Sequence, residues 1–223
     1  MTYPDSYSVE KFDSPVTLQM AASCNSSAIV SAYENMLNQR GPEYACLMSW
    51  MFTHQLAGSR LRWQATSIEN AMRSILDYGV CPISTTSYKG EDVLPQIHKD
   101  SFEAAKHYRA KSVKKITDIE DIISAIASNT PVVVVLRLAE NIYHTVLAVG
   151  YDKIRGSLRI KNSLGSGYAD NGYEWISFDG PVMLREGWCI EMPDYVPVVN
   201  KWLRYRSFRL LLKVLKFIED KIL

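Results

Sequence analysis

Little in this chain favours a membrane, a metal or a nucleic acid. No apolar run approaches the roughly 20 residues that span a bilayer. The opening stretch MTYPDSYSVEKFDSP has no hydrophobic h-region, so no secretory signal is expected there. Four cysteines occur, Cys24, Cys46, Cys81 and Cys189, widely scattered and without a CxxC pair. A zinc site therefore has no support, and no cofactor is expected. His98 and His107 have no partners at ligand spacing and read as surface residues. The formal net charge of +1 gives no general bias toward nucleic acid. Without a secretory signal, a reducing compartment is expected, a cytoplasm or the inside of a virus particle, with the thiols free.

What is present fits a globular protein: 223 residues, 47% hydrophobic and 22% charged. That length suits one domain or two small lobes around a shared core. The charge is unevenly spread. Residues 200–223 hold seven Lys or Arg against two acids, which leaves the remainder at −4. Within that tail Leu203, Leu210, Leu211, Val214, Ile218 and Ile222 form an apolar helical stripe, with Arg206, Arg209, Lys213 and Lys216 largely opposite. A basic amphipathic helix of this kind either packs on the body of the domain or docks on an anionic membrane surface or an acidic partner.

Residues 1–20, with Pro4 and Pro15, read as an irregular lead-in. Ala28, Ile29, Ala32, Tyr33 and Met36 recur at helical spacing, which predicts a buried helix over 25–37 that stops at Gly41 and Pro42. A second apolar helix is expected over 43–56, with Cys46 on its core face. A polar loop follows at 58–65. A third helix is expected over 67–78, capped by Ser67 or Thr66 and stopped by Gly79. Residues 83–112 are polar and mixed. A further helix is read over 118–128, capped by Thr117 or Asp118. Strands are expected at 132–138, 145–151, 157–160 and 173–178, the middle two joined as a hairpin through the turn-prone residues 152–156. Helices first and strands later predict an α+β chain of two lobes with a cleft between them, a helical lobe over about 20–115 and a sheet lobe over about 116–199.

Three residues in this layout carry chemistry. Cys24 stands at the start of the first helix, where free backbone N–H groups and the helix dipole favour an anion. A thiolate is such an anion, and a helix N-terminus lowers a cysteine pKa; the alternative is a buried, inert thiol. His144 opens the first hairpin strand, and Asn162 lies just past the second. The hairpin brings those two ends side by side, and an amide beside an imidazole fixes its tautomer. Taken singly, the histidine also fits a satisfied structural role and the asparagine a turn.

A cysteine opening an early helix, a histidine 120 residues later and an asparagine at the end of the neighbouring strand resemble the papain family of cysteine proteases. The likeness is strongest at HTVLAVGY (144–151) and KNSLGSGYADNGY (161–173), where Asn162, Ser163, Gly165, Gly172 and Tyr173 fit the family pattern. SIENAMRSILDYGVCP is similar to the helix after the substrate-cleft loop in bacterial members. The resemblance covers about residues 3–178. It implies a papain-like two-lobe fold over 1–199, a helical lobe facing an antiparallel sheet lobe across the active-site cleft. It also implies a peptidase with Cys24 as nucleophile, His144 as proton acceptor and donor, and Asn162 orienting the ring. Gln19, with the Cys24 N–H, would stabilise the oxyanion, and a peptide or protein would be the substrate. Only 23 residues precede Cys24, so the chain resembles bacterial and viral members without a pro-region.

Several positions depart from the family. In members with two cysteines three apart, the second is the nucleophile, which would put Ser27 in that place; the SC…SAYE pattern fits instead the bacterial form with Cys24. Gln19 precedes Cys24 by five residues, where six is usual. Leu164 replaces the Trp that shields the Asn–His hydrogen bond, and Tyr168 and Ala169 replace a Trp-Gly pair. Gln64 and Ala65 stand where a Gly-Gly pair lets substrate backbone approach. The expected activity is cleavage of amide bonds by a thiolate through a thioester. The alternatives are a thiol hydrolase acting on cell-wall or isopeptide bonds, and a pseudoenzyme that binds peptides without cutting.

Overall fold

The computed structural model describes residues 3–180 and 183–198. The basic segment 200–223 and the helix expected there lie outside the described residues. The elements in chain order are β1 (Ser6–Ser8), α1 (Cys24–Arg40), α2 (Trp50–Leu56), α3 (Ile68–Asp77), α4 (Lys99–Ala105), β2 (Ser112–Ile116), α5 (Ile119–Ala127), β3 (Val132–Ala139), β4 (Ile142–Asp152), β5 (Ser157–Lys161), β6 (Tyr173–Ser177) and β7 (Met183–Glu191). The seven strands form one sheet in the order β2-β7-β3-β4-β5-β6, with β1 on the far end of β4. Every pairing is antiparallel. The class is α+β, as expected.

The sheet is covered on both faces, which explains why its central strands are apolar at consecutive positions. Val133 and Val135 of β3 and Leu147 and Val149 of β4 pack with Ile29, Tyr33 and Leu37 of α1 and with Met72 and Ile75 of α3. Their neighbours Val132, Val134, Val146 and Ala148 point the other way, onto Ile122, Ile123 and Ile126 of α5. A smaller core joins Phe52 of α2 to Cys81 and Ala105. Truncation of any one of these large buried side chains to alanine is worth about 2–5 kcal/mol.

A buried polar clamp ties the lead-in to both parts. Lys161 of β5 donates from Nζ to the Ser14 carbonyl at 2.7 Å and to its hydroxyl at 3.2 Å. The Ser14 hydroxyl in turn donates to Glu34 of α1. Glu34 Oε1 accepts from the Met48 backbone N–H at 2.8 Å. Burial pushes the Glu34 carboxyl up, and Lys161 counteracts it. Breaking one partner of such a cluster typically costs about 3–5 kcal/mol.

Several local expectations are corrected. The helix expected over 43–56 starts only at Trp50. Pro42 opens a short 3-10 turn, Met48 is drawn to Glu34 and bridges Pro82, and the Ser49 hydroxyl then caps α2 by accepting from Phe52 N. Cys46 is buried but precedes that helix. The lead-in contains β1, whose register on β4 runs Ser6↔Asp152 to Ser8↔Gly150. The stretch 83–112 contains α4, with His98 as its N-cap. β2 pairs with β7 and so joins the sheet a few residues ahead of the boundary expected near 115. His98 and His107 are exposed, as read.

Helices α3 and α5 start where their caps say. Ser67 accepts from Asn70 N, and Asp118 accepts from Glu120 N. After α3, Gly79 takes φ +90°, and a Cβ there would lie 2.1 Å from the Ala105 carbonyl oxygen. Only glycine lets α3 end against α4 in this way.

Candidate active site

The structure brings Cys24, His144 and Asn162 together between α1 and the sheet. Cys24 is the first residue of α1. Ser23, the N-cap, makes no side-chain capping bond, and no acidic residue sits in the first turn. The leading N–H groups are thus left to an anion rather than satisfied by the chain itself. The groups that act on the ionisation of the sulfur are the His144 ring and the backbone N–H groups of Thr145 on β4 and Asn25 at the start of α1.

His144 is the third residue of β4 rather than its first, opposite Leu136 of β3. Its Nε2 lies 2.9 Å from Asn162 Oδ1. Nε2 is committed to that amide, so Nδ1 is the nitrogen left for the sulfur. Asn162 follows β5, and its backbone N–H donates to the Gly172 carbonyl at 2.9 Å. Gly172 adopts φ +89°, and a Cβ there would fall 2.4 Å from Val16 Cγ1. The loop between β5 and β6 can therefore turn back under Asn162 only with glycine at that place.

The electrostatics follow from these contacts. Burial acts to raise the Cys24 thiol, yet the bond to His144, the two backbone donors and the ring's charge together hold it below the ordinary cysteine range. Burial likewise acts to lower the His144 imidazole. The bonds to Cys24 and Asn162, with the charges of Cys24 and Glu174, outweigh it and hold the ring above its ordinary range. Both shifts favour a thiolate–imidazolium pair.

Gln19 lies at the same end of the site, paired with the residue after Asn162. Its backbone N–H donates to the Ser163 carbonyl at 2.8 Å, and its Oε1 accepts from the Ser163 hydroxyl at 2.6 Å. Nε2 donates to the Ala21 carbonyl at 3.2 Å. Leu18 bridges Leu164 beside this contact. Ser27, the other residue weighed for the nucleophile position, is buried with its hydroxyl 3.4 Å from that of Ser23. Leu164 is 41% exposed. Gln64 and Ala65 are exposed in the loop before α3.

Two features escape the sequence reading. Asn25 straps the site: its Nδ2 donates to the Thr66 carbonyl at 2.6 Å, and its Oδ1 accepts from the Thr145 hydroxyl at 2.5 Å. It thereby joins the start of α1 to the cleft loop and to the residue after His144. Glu174 of β6 accepts from Asn162 Nδ2 at 3.4 Å and from the Tyr168 hydroxyl at 3.0 Å. The only hint for Asn25 is a polar residue next to a helix-starting cysteine; nothing in the spacing marks Glu174. Among the described residues no group of three or more His, Cys, Asp or Glu side chains is arranged to hold a metal ion. Among them, too, no helix is long and apolar enough to cross a membrane.

Comparison with known proteins gives the fold and the family. The structure is similar to xylellain, a cysteine protease from Xylella fastidiosa, with a TM-score of 0.73 and 19% identity over 86% of this chain and 87% of that one. It is also similar to a cysteine protease of Carica candamarcensis in complex with E-64, with a TM-score of 0.69 and 20% identity over 84% and 98% of the two chains. Bromelain from Ananas comosus, in complex with the E64 inhibitor, matches with a TM-score of 0.70 and 14% identity over 85% and 100%. No match is found among curated proteins. A family model described as the Peptidase_C39 like family matches residues 15–178. On a papain-like fold, then, this chain belongs to the Peptidase_C39 like family and is a cysteine-type peptidase.

Proposed function

We propose that the protein cleaves peptide bonds in peptide or protein substrates through a thioester acyl-enzyme, with Cys24 as nucleophile, His144 as acid and base, and Asn162 as the residue that orients the ring. The observation that carries this reading is the His144 ring held by Asn162, Nε2 to Oδ1 at 2.9 Å, on the side of the site where it acts on the Cys24 thiol at the start of α1. The thiolate attacks the scissile carbonyl carbon and forms a tetrahedral oxyanion. The Cys24 N–H, unpaired at the helix start, donates to that oxygen, and Gln19 is the second donor. As the oxyanion collapses, the C–N bond breaks and His144 gives its proton to the leaving amine. Water then loses a proton to His144, attacks the thioester and releases the carboxylic acid, and Cys24 leaves as the thiolate.

The four free thiols fit a reducing, cytoplasmic setting. The basic segment 200–223 is proposed, on sequence alone, to contact an anionic membrane surface or an acidic partner.

The test uses the full chain, dye-labelled casein and a thiol-reactive epoxide of the E-64 type. Hydrolysis that is abolished in Cys24→Ala, together with epoxide labelling of Cys24 alone, is the expected result. Folded protein that neither cleaves casein nor takes up the epoxide would mean a peptide-binding pseudoenzyme.

A further inference from the structure

The hydrogen-bond chain does not end at Asn162. Glu174 sits on β6 opposite Ile160 of β5, two residues after Gly172. One of its carboxylate oxygens, Oε1, takes two donors at once, Asn162 Nδ2 at 3.4 Å and the Tyr168 hydroxyl at 3.0 Å. An ionised carboxylate only accepts, so its neighbour must present an N–H. That requirement fixes the Asn162 amide with Nδ2 toward Glu174 and Oδ1 toward His144. The Ser163 backbone N–H, 2.8 Å from Oδ1, imposes the same orientation from the other side.

We propose that Glu174, held by Tyr168, is a positioning residue of this active site, which sets the Asn162 amide and stabilises the imidazolium form of His144 from behind. The inference rests on the function proposed above and extends its three residues to the series Cys24–His144–Asn162–Glu174.

Three physical points support it. First, Asn162 is buried, 5% exposed, so a carboxylate at its N–H end acts on the amide with little screening by water. An amide polarised in this way is a stronger acceptor at its carbonyl end, where His144 is bound. Second, the charge is in the right place. The groups acting on the ring are Cys24 from α1 and Asn162 and Glu174 from the β5–β6 side, while the residue opposite it on β3 is the apolar Leu136. When the acyl-enzyme forms, the thiolate charge disappears from the ring's partner and Glu174 is the negative group that persists. Third, the Tyr168 phenol is pushed above its ordinary range by its burial and by its bond to Glu174, so it stays a donor at neutral pH.

The test separates charge from packing. Iodoacetate is an anion and alkylates Cys24 fastest while the imidazolium is present. Its rate in the wild-type chain should rise as the thiolate forms and fall as His144 loses its proton. Glu174→Gln keeps the shape and an acceptor oxygen but removes the charge. It should move the falling limb to lower pH and reduce the peak rate about 2- to 10-fold. Tyr168→Phe keeps the charge and should leave the limb where it is. Near-UV circular dichroism checks that both variants are folded. A limb unchanged in folded Glu174→Gln, or moved as far by Tyr168→Phe, overturns the role given to Glu174. A wild-type chain with no bell at all instead overturns the proposed function on which this inference rests.

Discussion

Cys24 and the pair Cys46 and Cys81 have the same thiol chemistry and are all largely withdrawn from water, yet their ionisation moves in opposite directions. Burial pushes Cys46 up to about 12, helped by the carboxylate of Glu34. Burial pushes Cys81 up to about 12 as well, against hydrogen bonds from Thr85, Ser101 and Ser49. Cys24 alone among the three is held below the ordinary range, by the His144 imidazole and by the backbone N–H groups of Thr145 on β4 and of Asn25 at the uncapped start of α1. A positive partner aligned with a helix N-terminus stabilises a buried thiolate. The contrast is one of supporting groups rather than of depth.

The sharpest way to break the contrast is to remove the positive partner. His144→Ala should lower hydrolysis of labelled casein by about 10³–10⁶-fold. It should also move the pH at which Cys24 becomes alkylated upward, toward ordinary cysteine, while Cys46 and Cys81 stay inert. Retained low-pH reactivity in His144→Ala would mean that the helix end activates the sulfur unaided. With all partners in place, brief iodoacetamide treatment followed by peptide mapping should modify Cys24 well ahead of Cys46 and Cys81. The pH profile of hydrolysis has its sign set by the same two shifts. The acid limb lies below the ordinary thiol range because Cys24 is lowered, and the alkaline limb lies above the ordinary imidazole range because His144 is raised.

A smaller loss is expected at the oxyanion. Gln19→Ala should reduce kcat about 10²–10³-fold with Cys24 alkylation unchanged, if the side chain serves the oxyanion, as proposed, and not the sulfur. If alkylation falls with kcat, the bonds of Gln19 to Ser163 are instead holding the Asn162 loop in place.

How much of this was legible in the chain divides along a physical line. Helices with strong periodicity and a side-chain cap were readable: α3 begins after Ser67 and α5 after Asp118, as the cap chemistry requires. The β4–β5 hairpin was readable because its apolar runs flank a turn-prone stretch. What was missed depends on partners distant in sequence. Three residues of β1 form a strand only because β4 has a free edge there. β7 becomes central only by pairing with both β2 and β3. The false start of α2 has the same cause, since Met48 answers to a carboxylate fourteen residues earlier. At the site, Cys24, His144 and Asn162 were legible as residue types at the ends of readable elements. Asn25 and Glu174 were not, because their work is to join three elements that sequence order keeps apart.

His54 and His144 offer the mildest test of the same contrast. His54 of α2 is fully buried beside Trp50, with ring centroids 6.1 Å apart. Burial lowers its imidazole to about 4, only partly offset by the Gln64 backbone. Here the folded value lies below the unfolded one of about 6.5. The neutral ring therefore contributes stability above pH 6.5 that is lost as the pH falls from there to about 4, because the unfolded chain takes up a proton that the folded one refuses. The whole window is worth about 3 kcal/mol. Asp13 and Glu34, raised chiefly by burial, titrate with the opposite sign and blur the wild-type curve. The difference between wild type and His54→Leu removes their contribution, since neither carboxylate is touched. Urea unfolding across this window should give a flatter stability–pH slope for His54→Leu, whatever its stability at neutral pH. An unchanged slope would mean that the ring finds a proton acceptor in the folded core, and that burial without a charged partner is not what separates His54 from His144.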